Sequence, residues 1–152
     1  MKITAQIKNK KGFTLIELLV VIGILAILLA ITLIAINPSR QFSQANNTKR
    51  RSDVLQILNA VHQYAADTSG NLPAGITSTT ATNIADTGVD ICSDIMPTYI
   101  SALPQDPESN AGAPITSCAT YNSGYQIRLD TSNRVIVSAP NADLGTTIEV
   151  TR

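Results

Sequence analysis

The longest hydrophobic pattern in the chain is an apolar run from Phe13 to Ile36. Its twenty-four positions contain one charged residue, Glu17. A helix rises about 1.5 Å per residue, so the run reaches roughly 36 Å and exceeds the hydrocarbon thickness of a bilayer, about 30 Å. Buried helices of soluble domains seldom stay apolar over this length. The pattern therefore predicts a membrane-spanning helix over residues 13–36.

A second helical pattern covers residues 37–68. Val54, Leu58, Val61 and Ala65 recur at three- and four-residue steps, with polar residues between them. This spacing predicts an amphipathic helix with one buried face. Its end is expected near Gly70, which can adopt the left-handed conformation of a helix C-terminus.

Pro38 lies at the junction of the two patterns. It has no amide to donate to the carbonyl of Ile34, so we expect the helix to kink, loosen or restart there.

Residues 69–152 are predicted to form a globular head. A Thr-, Ser- and Asn-rich segment, residues 74–90, is expected to be a long surface loop. Three short alternating runs then predict three antiparallel strands that cover one face of the second helix. The expected fold is α+β, with a long N-terminal helix packed in its second half on a small sheet. The runs are marked by Tyr125, Ile127 and Leu129, by Val135 and Val137, and by Ile148 and Val150.

The net charge of zero hides an uneven distribution. Residues 1–12 contain four of the eleven Lys and Arg residues and no acid, so the rest of the chain carries seven bases against eleven acids. The predicted head is acidic. A basic segment before a first membrane span favours a cytoplasmic N-terminus and places the head outside.

Glu17 requires a partner, because a carboxylate in an apolar span is costly. Thr14 to Glu17 has the spacing of a capping box, in which the carboxylate accepts from a free amide at the helix start. Alternatively, its partner lies on another chain. The two interpretations are compatible at different stages.

The segment from Lys10 to Val21, Lys-Lys-Gly-Phe-Thr-Leu-Ile-Glu-Leu-Leu-Val-Val, resembles the processing site of type IV pilins and type II secretion pseudopilins. The resemblance implies that the basic leader, residues 1–12, is removed by a prepilin peptidase that cleaves between Gly12 and Phe13 and methylates the new Phe13 amine. It also implies that Glu17 meets the Phe13 ammonium of a neighbouring subunit.

This resemblance implies a structural subunit of a type IV pilus-like filament. The precursor would span the cytoplasmic membrane once, with its head outside, and then join a helical homopolymer with the help of assembly machinery in the membrane. A pseudopilin of a type II secretion system and a minor or competence pilin that takes up DNA remain alternatives. The segment Leu103-Pro-Gln-Asp-Pro107 is also similar to a Leu-Pro-x-Asp-Pro segment of these families.

Cys92 and Cys118 are the only cysteines, and both lie in the predicted exterior head. An even pair in an oxidising compartment predicts a disulfide. Its closure of about 27 residues would contribute roughly 3 to 4 kcal/mol in the chain-entropy treatment.

The sequence does not indicate catalysis or a bound cofactor. It has no phosphate loop or nucleophile elbow, and its one histidine, His62, has no second ligand at helical spacing. The loop from Pro140 to Gly145, where pseudopilins often bind calcium, offers one carboxylate and one amide side chain. Calcium prefers six to eight oxygens, so this loop does not support a metal site.

Nucleic acid binding is disfavoured. Arg40 and the run Lys49-Arg50-Arg51 could contact phosphate, but three charges on a helix more often form a solvated face, and the acidic head would repel DNA.

Overall fold

The computed structural model describes residues 12–77 and 79–152, and the chain divides into two compact units after Pro38. The predicted leader, residues 1–12, lies outside the described residues except for Gly12. The first unit holds helix α1, Leu15–Ile36. The second holds all other elements and is the α+β head.

Helix α1 begins after Thr14, which adopts an extended conformation with φ −80° and ψ 152°. Its 22 residues give a length of about 33 Å. It ends at Ile36 because Asn37 takes a left-handed conformation with φ 48°. Among the helices of the described chain, it is the one long and apolar enough to cross a bilayer.

Helix α2, Pro38–Asp67, starts directly after this break. Pro38 is its first residue, a position where the missing amide costs no hydrogen bond. The backbone at the junction is therefore interrupted and restarted. At the other end, Gly70 has φ 91° and donates its amide to the carbonyl of Ala65 at 2.7 Å, which closes the helix.

The buried face of α2 changes character along its length. Near the N-terminus the buried side chains are polar, namely Asn47, Arg50 and Asp53. Further on they are apolar, as the periodic pattern predicts, and belong to the core. These apolar residues are Val54, Ile57, Leu58, Ala60 and Val61.

The sheet is an antiparallel meander of four strands in the order β1, β2, β3, β4. The predicted antiparallel sheet is confirmed, and its three expected strands are β2, β3 and β4. Pairs such as Ile127 with Val137 and Val137 with Val150 place alternate apolar residues on the core face. The strands are β1 Thr82–Ala85, β2 Asn122–Leu129, β3 Val135–Ser138 and β4 Glu149–Thr151.

The prediction of a sheet of three strands and of a surface loop over residues 74–90 was wrong, because this segment contains a fourth strand. This segment contains β1, which pairs with β2, and its Ile76, Ile84 and Val89 side chains are buried. The strand has four residues with one large apolar side chain and is interrupted by a bulge after Asn83. Such a short pattern carries little periodicity, and the strand is defined by hydrogen bonds to β2.

Two short helical segments complete the head. Helix α3, Cys92–Ile95, contributes its buried Cys92 and Ile95 to the core, and a 3₁₀ turn covers Asn110–Gly112. Leu103 and Ile115, on either side of this turn in the chain, form an isolated antiparallel bridge. These segments connect β1 to β2 across the side of the head that carries the Leu-Pro-Gln-Asp-Pro sequence.

Candidate functional site: the N-terminal motif and the buried ion-pair network

Thr14 and Glu17 form a complete capping box at the start of α1. The Glu17 Oε2 atom accepts from the Thr14 amide and from the Thr14 hydroxyl, both at 2.8 Å. In return, the Glu17 amide donates to Thr14 Oγ1 at 3.3 Å. Within one chain, Glu17 therefore acts as the capping residue that the Thr14–Glu17 spacing predicts. The carboxylate remains exposed, so a second donor can approach it.

The residues around the expected cleavage bond are open to solvent. Phe13 is 85% exposed, and apart from the chain neighbours of Gly12 no atom of the described residues would lie within 4 Å of a β-carbon added there. No residue of α1 is buried. A helix that exposes leucine, isoleucine and valine on every side is stable in lipid or against other apolar helices, and not in water.

The head contains a second site that the sequence did not reveal. Arg50 is fully buried in α2, and its guanidinium binds three acids from two loops. Its Nε lies 2.8 Å from Asp106 Oδ2 and its Nη2 lies 3.1 Å from Asp106 Oδ1, a bidentate pair. Its Nη1 lies 2.7 Å from Asp143 Oδ2, and its Nη2 lies 3.2 Å from Glu108 Oε2. The hydrogen bond that the guanidinium donates to Asp106 is the largest effect that raises the pKa of Arg50, and burial opposes it.

The backbone near Asp106 permits this close approach. Gly124 in β2 has φ 78°, and a β-carbon at this position would lie 2.7 Å from the Asp106 β-carbon. The Asp106 amide donates to the Ser123 carbonyl at 2.8 Å. Glycine is therefore required here both for its conformation and for space. Its presence lets β2 lie directly against the aspartate.

Asn47 and Lys49 extend the network on either side of Arg50. Asn47 accepts from the Asp143 amide and donates to the Asp143 carbonyl, both at 2.9 Å. Lys49 Nζ lies 2.9 Å from Asp53 Oδ2 and 2.8 Å from the carbonyl oxygen of Gln105. The first half of α2 is thus tied to the Leu-Pro-Gln-Asp-Pro segment and to the loop that contains Asp143.

Tyr125 connects this network to the sheet. Its hydroxyl donates to Asp53 Oδ2 at 2.7 Å, and its ring is fully buried. Burial and then this hydrogen bond raise the pKa of Tyr125 above its usual value. The phenol therefore stays protonated and acts as a donor.

The loop considered for calcium is occupied by these contacts. Its one carboxylate, Asp143, pairs with Arg50. Among the described residues there is no group of three or more His, Cys, Asp or Glu side chains arranged to hold a metal ion. The positive charge in this region is supplied by arginine.

The basic run is not a single surface. Lys49 and Arg50 are engaged in ion pairs, and Arg51 alone of the three is exposed without an ion pair to another described residue.

His62 is half-buried, and its Nε2 has no hydrogen-bond partner within the described part of the chain. Burial, followed by the positive charge of Arg152, lowers the pKa of His62.

Cys92 and Cys118 form a disulfide with a Cα–Cα distance of 5.6 Å. Cys92 is fully buried in α3, while Cys118 packs against the core from the loop before β2. The bond joins the two sides of the long connection between β1 and β2. This connection has little regular secondary structure of its own.

Residues 7–33 match the family model of the prokaryotic N-terminal methylation motif. The chain thus carries the prepilin signature of type IV pilins and pseudopilins, and its α+β fold with a long apolar N-terminal helix is pilin-like. The motif marks a prepilin peptidase substrate with a membrane-anchored apolar helix. Comparison of the chain with curated proteins and with solved structures gave no match.

Proposed function

We propose that this protein is a structural subunit of a type IV pilus-like filament. The observation that carries the proposal is the position of α1, which begins two residues after Phe13, overlaps the methylation motif over residues 15–33 and buries none of its apolar side chains. Burial of apolar surface is worth roughly 25 cal/mol per Å², so such a helix requires a bilayer or a bundle of its own copies. In the proposal, α1 lies in the bilayer before assembly and in a bundle of its own copies in the filament.

The precursor is anchored by α1 with its head outside the cytoplasmic membrane. Prepilin peptidase then cleaves after Gly12 and methylates the Phe13 amine. Removal of residues 1–12 takes away four positive charges that are costly to move through the membrane. Assembly machinery in the membrane transfers the mature subunit into the filament.

Glu17 selects the register of assembly in this proposal. In a single chain it caps its own helix through Thr14. In the filament its exposed carboxylate also accepts from the Phe13 ammonium of a neighbouring copy. Each charge alone is costly in an apolar environment and the pair is tolerated, which favours one position of the incoming helix.

The proposal assigns no catalytic activity to the chain. A type II secretion pseudopilin and a minor or competence pilin are the alternatives, and the location of the filament distinguishes them. A pilus subunit is recovered in filaments sheared from the cell surface, whereas a pseudopilin stays in the envelope. Two of the three consecutive basic residues are committed to ion pairs within the head, which weakens the case for DNA binding.

The test is the intact mass and N-terminal sequence of the protein from membrane and surface fractions. We expect a chain that begins at N-methylated Phe13. The control is Gly12→Leu, which meets no steric conflict with the described residues, so a retained leader would reflect loss of peptidase recognition. A wild-type chain that keeps residues 1–12 in every fraction would refute the proposed function.

A further inference from the structure

The four-stranded sheet of the head has two edge strands, β1 and β4. The outer edge of β1 is covered by its own chain. The Asn83 carbonyl accepts from the Val89 amide at 2.9 Å, and the Ala85 amide donates to the Val89 carbonyl at 3.3 Å. Val89 also forms a parallel bridge with Ile84 and is itself buried. The backbone groups that would bind a further strand beside β1 are therefore already used.

The outer edge of β4 is open. Arg152 and Val135 exchange two backbone hydrogen bonds, at 3.1 and 3.2 Å. Hydrogen-bonded pairs recur at every second residue of an antiparallel ladder, so Val150 also bonds β3, whereas the backbone groups of Glu149 and Thr151 point away from it. Both of these residues are exposed, and within the described residues no hydrogen bond to their outward amides and carbonyls is found.

The open edge also carries an apolar side chain. Val150 packs against the core but is only half-buried, because no further strand lies beside β4 in the sheet. Unpaired amides and carbonyls next to an incompletely buried valine are the features through which one strand edge binds another. The strand is three residues long, which limits the registers in which a partner strand can use all of its outward groups.

A second copy of β4 fits this edge in one antiparallel register. With Val150 opposite Val150 of the second copy, Glu149 of each copy lies opposite Thr151 of the other, and their outward groups form four hydrogen bonds. The Glu149 carboxylate, which pairs with Arg128 of its own chain at 3.5 Å, then faces a hydroxyl. A shift that pairs Glu149 with itself would leave two of these bonds and place like charges directly opposite each other, which is destabilising.

We propose that β4 is a self-association edge, at which the heads of two membrane-anchored copies of this chain form a two-fold dimer with one continuous sheet. Both copies use the same residues, so the dimer is closed and leaves no β4 edge free. The covered edge of β1 ends the sheet on either side. The methylation motif marks a membrane-anchored helix, and confinement to one membrane raises the effective concentration of the heads, which favours a contact of four hydrogen bonds.

Disulfide trapping in membranes that contain the full-length chain tests the pairing. Val150→Cys places one thiol from each copy at the two-fold axis, where the Cα atoms of a non-hydrogen-bonded pair lie about 4.5 Å apart, within the range of a disulfide. Copper phenanthroline is added as the oxidant and takes two electrons from the two thiols, which release two protons. We expect a dimer on a non-reducing gel, with position 150 linked to position 150 in the joined peptides identified by mass spectrometry.

Asn83→Cys is the matched control. Asn83 is exposed on β1, at the edge that the chain itself covers. Its thiol meets that of another copy by random collision, so this variant should give few dimers under the same oxidation. The native Cys92–Cys118 bond is common to both variants and does not distinguish them.

Proline at position 151 removes a donor from the proposed contact and none from the sheet itself. The Thr151 amide points away from β3, and proline is tolerated on an edge strand in this orientation. In the Val150→Cys background, Thr151→Pro should lower the dimer yield roughly tenfold, since two of the four bonds between copies are lost by symmetry. Thr151→Ala keeps the amide and should retain the yield. Similar urea midpoints by tyrosine fluorescence would show that both heads are folded.

The outcomes are distinct from those that test the proposed function. A dimer yield from Val150→Cys no higher than that from Asn83→Cys would overturn the self-association edge, and so would equal yields from the folded proline and alanine variants. A disulfide from position 150 to a different protein in place of the dimer would also overturn it and assign the edge to another partner. Failure of the dimer leaves removal of residues 1–12 and filament formation unaffected. Conversely, absence of wild-type filaments would leave the dimer of anchored chains measurable.

Discussion

Arg50 and Asp106, 56 residues apart, form a bidentate ion pair in which both side chains are inaccessible to solvent. Breaking such a pair leaves an uncompensated buried charge. Arg50→Met should therefore destabilise the head by about 3 to 5 kcal/mol. The matched variant Arg51→Met, at an exposed neighbouring position, should change the stability by about 0.5 kcal/mol or less.

Tyrosine fluorescence during urea unfolding of the full-length chain in detergent measures this difference. All four tyrosines lie in the head and the chain has no tryptophan, so the signal reports the head and not α1. Equal midpoints for the Arg50 and Arg51 variants would show that the buried network contributes nothing to stability.

Removal of the disulfide should also destabilise the head. The bond links positions 26 residues apart, and its loss in Cys92→Ala/Cys118→Ala should cost about 3 kcal/mol, because the unfolded chain gains entropy. The same unfolding assay with and without a reductant measures the effect. Reductant should lower the wild-type midpoint and leave that of the double variant unchanged. A reductant effect on the double variant would point to a cause other than this bond.

Glu17 and Thr14 can be separated by substitution. Glu17→Gln removes the charge, and we expect it to reduce filament yield roughly tenfold or more, since a loss of about 1.4 kcal/mol in pairing already has this effect. Thr14→Ala removes the cap of α1 and leaves the charge, at a cost of about 1 kcal/mol in local helix stability, so filaments should still form. Quantification of sheared filaments, with N-terminal sequencing as a processing control, compares the two. Similar loss in both variants would favour a purely local capping role for Glu17.

His62 should make the head less stable in mildly acidic solution. Burial and Arg152 lower the folded-state pKa of His62 below the ordinary value of 6.5, so the unfolded chain binds the proton more readily. The stabilisation is present above pH 6.5 and decreases as the pH falls through and below that value. Urea unfolding at neutral pH and at pH near 5 should show a smaller pH effect for His62→Gln than for the wild type. An identical pH effect in both proteins would exclude His62 as the cause.

The elements that sequence reasoning located are those with long local patterns. The apolar run of α1 and the spacing of Val54, Leu58 and Val61 in α2 depend on neighbours within a few turns of one helix. Strands β2 and β3 alternate over enough positions to be recognised. Strand β1 was missed because Ile84 is the one large apolar residue it contains, and its place is determined by pairing with β2.

The buried network was missed for a related reason. Arg50 stands in a run of three basic residues, a pattern that normally indicates a solvated helix face. Its partners Asp106 and Asp143 lie 56 and 93 residues away, and no local spacing connects them. The available signal was the Leu-Pro-Gln-Asp-Pro segment, whose two prolines fix the backbone around one aspartate. A carboxylate held so rigidly is suited to a defined cation partner.

The oxidation state of Cys92 and Cys118 also reports on which side of the membrane the head of each molecule lies. Thiols stay reduced in the cytoplasm and are oxidised outside it. Cleavage after Gly12 takes place on the cytoplasmic side in the proposed pathway, so the two events occur on opposite faces of the membrane. Thiol alkylation combined with mass measurement would then place each molecule: the state of residues 1–12 shows whether the peptidase has acted, and the state of the cysteine pair shows whether the head has crossed.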